Sequence, residues 1–269
     1  MKPSQPVTLI LLAITLLALP PALFSVQAAQ HVADPGPWWK IPALETRGLY
    51  LIHHLIAFVP VFFFGIVINL FDYRKQFVQL YLWPLLLLAP VFIAWDAWFN
   101  AKGIWSFSKS YSLGWNLLGL PIEEWSWFYV IPFCCFFVLT MVRMRFAVGS
   151  RWDRWLLPAL AMPLLFAFVY GMDSLYTAWS AGSALFVLVA GRMLGVSGLG
   201  EFLVAFAINL VPMFLLNGML TGLFTDRALV QYNPLEFSNI RIGTFPVEDL
   251  GFGFAFLYGV EVLSSVIRK

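Results

Sequence analysis

The chain has 269 residues, of which 61% are hydrophobic, 18% aromatic and only 11% charged. A water-soluble domain cannot hide that much apolar surface, so lipid is its expected solvent. A formal charge of +2, with no basic cluster interleaved with aromatics, excludes nucleic acid as a partner.

Residues 7–25 are apolar behind Met1-Lys2 and are broken by Pro20-Pro21, which suits either a cleaved signal peptide or a retained first helix. With the Pro-rich stretch that follows, residues 1–47 read as a signal or anchor segment and linker. Seven apolar runs come next, at about 49–70, 77–98, 121–142, 154–171, 174–192, 200–221 and 246–267, each near the roughly 20 residues that span a bilayer. The expected fold is therefore an all-α integral membrane protein with seven transmembrane helices besides the N-terminal segment. Lys2, Arg74, Lys75, Arg143, Arg145, Arg151, Arg154, Arg192, Arg268 and Lys269 fall on one side, against Lys40, Arg47, Lys102, Lys109, Arg227 and Arg241 on the other, so the richer side is expected to be cytoplasmic. Cys134 and Cys135 are adjacent within one apolar run and read as small buried side chains. His53 and His54 lack metal-ligand spacing and read as packed histidines.

A four-residue phrase occurs twice: Pro121-Ile122-Glu123-Glu124 and Pro246-Val247-Glu248-Asp249. Each copy starts the third apolar run of a set of three, and the run at 154–171 joins the sets. Earlier features match as well. Asp96 in one set and Asn217 in the other break a long span, and Gly119 or Gly243 precedes the proline. Four spans separate corresponding helices, so the two halves should run parallel through the membrane. The expected organisation is a first repeat at 48–145, a linking helix at 146–172 and a second repeat at 173–269.

Proline at the start of a helix and acids in its first turn are also what helix capping requires. Capping accounts for one acid more easily than for two side by side in so uncharged a chain. Neighbouring helical residues point about 100° apart, so one acid of each pair can face a cavity while the other does not. The first acids, Glu123 and Glu248, are the expected cavity-facing ones. Glu124 and Asp249 remain candidates with them, as does Asp96 between Trp95 and Trp98, because intramembrane carboxylates are functional by default. Trp105, Phe107, Trp125, Phe128 and Phe252 supply rings that can line a substrate site or shelter a cation. Asn217 is the amide counterpart of Asp96. Arg241, seven residues before Glu248, is placed to hold a carboxylate ionised. No dinucleotide fingerprint, P-loop, zinc motif or aspartate-rich diphosphate motif is present, so no cofactor or metal is expected.

Trp95-Asp96-Ala97-Trp98, Gly103-Ile104-Trp105-Ser106-Phe107 and Gly119-Leu120-Pro121-Ile122-Glu123-Glu124-Trp125 resemble the bacterial and archaeal lycopene cyclase domain of the heterodimer type. Tyr232-Asn233-Pro234 and the stretch from Gly243 to Asp249 resemble it too. The chain is similar to the fused, two-repeat form over about residues 48–269, and residues 1–47 depart from the family pattern. The resemblance implies lycopene or a related linear carotenoid as substrate, and acid-initiated, redox-neutral closure of its ψ end groups to β-ionone rings. Family members that act on C50 carotenoids, or form ε or γ rings, are the alternatives. It implies Glu123 or Glu248 as proton donor, with the other, or Asp96, receiving the proton. Membrane lipid and other carotenoid-biosynthesis enzymes are expected partners, and the cytoplasmic membrane the expected location. Two rivals come from other classes: a transporter with intramembrane acids, and a carotenoid-binding protein without catalysis.

Overall fold

The computed structural model describes residues 24–26, 39–146 and 153–268. Of the expected N-terminal segment and linker, residues 1–47, the described residues hold only β1 (Phe24–Val26), a short strand, and the stretch from residue 39, with a helical turn at Pro42–Leu44. Seven long helices follow: α1 (Leu49–Val67), α2 (Leu70–Lys102), α3 (Ile122–Arg145), α4 (Asp153–Tyr170), α5 (Leu175–Met193), α6 (Leu199–Leu220) and α7 (Glu248–Ile267). They occupy the positions of the seven expected spans, in a mostly all-α architecture. Five of them, α1, α2, α3, α6 and α7, are long and apolar enough to cross a membrane. The apolar part of α4, Trp155–Tyr170, is shorter. α5 is diluted by Thr177, Ser180, Gly182 and Ser183.

The helices divide into two sets of three, α1–α3 and α5–α7, with α4 laid against α5. Within each set the first helix packs on the third: α1 on α3, and α5 on α7. Between sets the contacts are reciprocal, because α2 packs on α7 and α6 packs on α3. Neither set is therefore a closed bundle, and each completes the other. At one end Tyr81 of α2 stacks on Phe136 of α3, with ring centroids 4.1 Å apart. Beside it Arg143 of α3 pairs with Glu261 of α7 at 2.9 Å.

Two hairpins lead into α3 and α7. β3 (Asn116–Leu117) pairs with β4 (Leu120–Pro121), and β6 (Ile240–Ile242) pairs with β7 (Phe245–Pro246). Each has a two-residue turn whose first residue, Leu118 or Gly243, takes a positive φ, as such tight hairpins require. β6 also pairs with β1. The loops after α2 and α6 meet in a third ladder, in which β2 (Trp105–Phe107) lies antiparallel to β5 (Val230–Tyr232). Antiparallel pairing of equivalent strands, with reciprocal helix packing, is what a two-fold relation between the halves produces. The ladder sits over the starts of α3 and α7 and brings Trp105 and Tyr232 to the acids.

Candidate active site

The prolines at the hairpin ends stop the strands, and the acids follow in the first helical turn. Both members of each pair are buried, but they do different things. Glu123 Oε1 accepts the backbone N–H of Leu113 at 2.7 Å. Glu248 Oε1 accepts the backbone N–H of Ser238 at 2.7 Å and the Thr177 hydroxyl at 2.6 Å. Each first acid thus latches the loop ten residues before it onto the helix.

The second acids face inward, so the expectation that Glu123 and Glu248 face a cavity is corrected. Glu124 accepts the hydroxyl of Tyr50. Asp249 Oδ1 accepts the hydroxyl of Tyr176 at 2.5 Å, and its Oδ2 accepts the Asn217 amide at 2.9 Å. The Tyr232 hydroxyl lies 3.1 Å from both Asp249 oxygens. Helix rotation explains the choice. Glu124, Trp127, Phe128 and Ile131 form one stripe of α3, and Asp249, Phe252, Gly253 and Phe256 form the same stripe of α7. Both stripes line one cavity of about 400 Å³. Glu123 and Glu248, one residue back, point about 100° away.

Asp96 lies on the same wall and is 2% exposed. Its Oδ1 accepts Trp105 Nε1 at 2.6 Å, its buried Oδ2 has no hydrogen-bond partner among the described residues, and Glu124 lines the same cavity. In the other half Asn217, the counterpart of Asp96, donates its amide to Asp249. The halves therefore bring unequal groups to one cavity: a carboxyl pair from the first, and from the second a carboxylate position ringed by Tyr176, Tyr232 and Asn217.

Trp105, Phe107, Phe128, Asn217 and Phe252 also line the cavity. Trp125 does not; its Nε1 donates to the Leu117 carbonyl at 3.1 Å, tying the β3–β4 hairpin to α3. Nor does Arg241, whose guanidinium donates to the Thr244 carbonyl at 2.5 Å and lies 4.7 Å from the Phe237 ring. Its charge reaches Glu248 and Asp249 only through space. Burial, then the charge of Asp249, raises the Tyr232 phenol well above its ordinary pKa, so it stays a donor. His53 and His54 are both buried; His54 Nδ1 lies 2.8 Å from the Tyr50 carbonyl, and His53 borders the cavity.

Tyr50, Tyr176 and Tyr232 are the polar site residues that motif reading passed over. Tyr50 and Tyr176 had a signal: each is the second residue of the first helix of its half, in Leu49-Tyr50 and Leu175-Tyr176. The aromatic residues three positions after Glu124 and Asp249, Trp127 and Phe252, likewise mark the second acid as the one on the ring-bearing face.

Among known proteins, the family model described as Lycopene cyclase matches two separate stretches, residues 49–142 and 173–267. No curated protein and no solved structure matches the chain.

Proposed function

Because the chain belongs to the lycopene cyclase family, we propose that its cavity closes β-ionone rings on the ψ ends of lycopene or a related linear carotenoid. The observation that carries this reading is that the carboxyl groups of Asp96, Glu124 and Asp249 line one largely apolar, aromatic-walled cavity. Ring closure needs an acid, a base, shelter for a cation and the exclusion of water. The Asp96–Glu124 pair is the acid. Its proton adds to the terminal double bond of the ψ end and leaves a tertiary carbocation. The next double bond in ring-forming position supplies an electron pair, a carbon–carbon bond closes the ring, and the positive charge moves into it. Asp249 then takes a proton from the ring carbon beside that charge, which restores a double bond. No electrons are lost, one proton enters and one leaves, and proton exchange of the acid and the base with water between turnovers resets the site.

The rings of Trp105, Trp127, Phe128 and Phe252 border the cavity and offer their faces to the cation. Glu123 and Glu248 hold the loops that carry the ladder, and the substrate reaches the site from lipid. We place the chain in the cytoplasmic membrane, with the acid clusters toward the outer face and with other carotenoid-biosynthesis enzymes as neighbours. The two repeats, 48–145 and 173–269, act as one catalytic unit.

The test is expression in a lycopene-producing host, with chromatography of the pigments, followed by turnover of lycopene by isolated membranes in heavy water. Cyclic product carrying one deuterium per ring closed supports the reading. Lycopene left unchanged refutes it, and cyclic product without deuterium refutes the acid step.

A further inference from the structure

Among the described residues the cavity has one mouth. Of its lining residues, only Ile56, Pro60, Pro212 and Leu215 are exposed, and they belong to α1 and α6. Ile56 is 54% and Leu215 48% exposed on the surface that faces lipid. The seam between these helices therefore opens sideways and not toward either aqueous face. Pro60 and Pro212 remove a backbone donor on each side of it.

The two-fold relation predicts a second mouth between α2 and α5, and that seam is filled. Setting Tyr50 against Tyr176 and Asp96 against Asn217 makes Trp95 the counterpart of Leu216, and Trp179 that of His53. Trp179 packs against Trp95 and Trp98, with ring centroids 5.9 Å and 5.2 Å apart. Phe99 closes the layer behind them at 5.5 Å from Trp95. On the outer side α4 covers α5, with Phe168 against Gly182, the counterpart of Ile56. Among the described residues no helix equivalent to α4 covers α1.

Resting on the cyclase reading, we infer that a carotenoid end enters from the lipid between α1 and α6, and that the tryptophan layer shuts the sister seam. One entrance then serves both halves. Only one end of a linear substrate is processed at a time, while the rest of the polyene stays in the seam and the bilayer. A substrate with two ψ ends must withdraw and present the other end through the same mouth.

The experiment uses the full chain in liposomes carrying lycopene, comparing wild type with Ile56→Trp, Leu215→Trp and Phe186→Trp. Phe186 is the counterpart of Pro60 on the shut side and is 71% exposed. The mouth variants are expected to lower kcat/KM roughly tenfold and to raise the monocyclic share of product, while Phe186→Trp matches wild type. Thermal midpoints of both mouth variants, expected to stay near that of wild type, separate loss of folding from obstruction. Lycopene retained by the purified protein, read by absorbance, is a second measure, expected to fall in both mouth variants. Full turnover and full pigment retention in Ile56→Trp and Leu215→Trp would overturn the single-mouth inference. A wild type that holds pigment but forms no ring would instead count against the cyclase reading and leave the mouth to be judged by retention.

Discussion

Trp105 and Tyr232 face each other in the β2–β5 ladder, and each donates to a carboxyl group of its own half. Trp105 Nε1 reaches Asp96 Oδ1 at 2.6 Å, and the Tyr232 hydroxyl reaches Asp249 at 3.1 Å. One backbone register thus sets both carboxyl groups over a common cavity. Hydrogen bonds to a charged group contribute about 1.5–3 kcal/mol, so Tyr232→Phe is expected to slow ring closure by roughly ten- to a hundredfold. Trp105→Phe should act on the acid side by a similar factor. Rates of cyclic product formation in membranes, normalised to folded protein, check both.

Replacing acids should separate the two members of each pair. Glu124→Gln and Asp249→Asn remove a proton donor or acceptor and are expected to lower turnover by about a hundredfold or more. Glu123→Gln and Glu248→Gln keep an oxygen that accepts the Leu113 or Ser238 N–H, and should stay within a few-fold of wild type. Pigment profiles of the four variants decide the matter. Activity lost in the first acids and kept in the second would reverse the assignment.

Asp96→Asn turns the first half into a copy of the second, with an amide beside the acid. The carboxylic proton of Asp96 is lost while the Trp105 hydrogen bond can persist. Turnover should fall by about a hundredfold, with lycopene retention unchanged. Asn217→Asp adds a carboxyl beside Asp249 and, by offering it a proton to share, is expected to impair the base. Paired measurements of retention and rate distinguish these effects from loss of binding.

Much of this arrangement can be read along the chain, for identifiable reasons. Long apolar runs must become helices in lipid, because every backbone group has to be satisfied within the segment. The doubled Pro-x-acid-acid phrase marks the starts of α3 and α7, and matching Asp96 with Asn217 already exposes the inequality of the halves. Which twin acid faces inward is set by how α3 rotates against α1, and α7 against α5. The acids alone carry no trace of that rotation, although the rings three positions on do. Tyr176 lies 73 residues from Asp249, and only folding brings them together. Arg241 acts on Glu248 and Asp249 only through space, because the tight turn at Gly243 brings the Thr244 carbonyl back to the guanidinium. The open and shut seams depend on partners from opposite halves, so no local pattern reveals them.

At the ends of α3 and α7 away from the acids, Arg143 and Glu261 hold the two helices together, and Tyr81 gives the guanidinium a third contact at 2.9 Å. Removing one partner of a buried pair strands the other charge and costs about 3–5 kcal/mol. Arg143→Met is therefore expected to lower the thermal midpoint in detergent sharply, whereas Arg143→Met/Glu261→Met should recover most of it. Activity per folded molecule should be unchanged in the double variant, because neither residue borders the cavity.

Gly251 couples packing to chemistry most directly. It sits two residues after Asp249, where α7 crosses α5, and a Cβ there would come within 2.4 Å of Ser180 Oγ. Ser180 in turn donates to the Glu248 carbonyl at 2.6 Å, so the contact holds the first turn of α7 in place. Gly251→Ala must push the helices apart, at about 1–3 kcal/mol, and carry Asp249 away from Tyr176. Lower stability with a larger loss of turnover is expected. Adding Ser180→Gly removes the clashing oxygen and should restore stability more fully than activity, since the Glu248 carbonyl then loses its donor. Thermal midpoints and ring-closure rates for the single and double variants test this, and equal recovery of both would show that the Ser180 contact does not position Asp249.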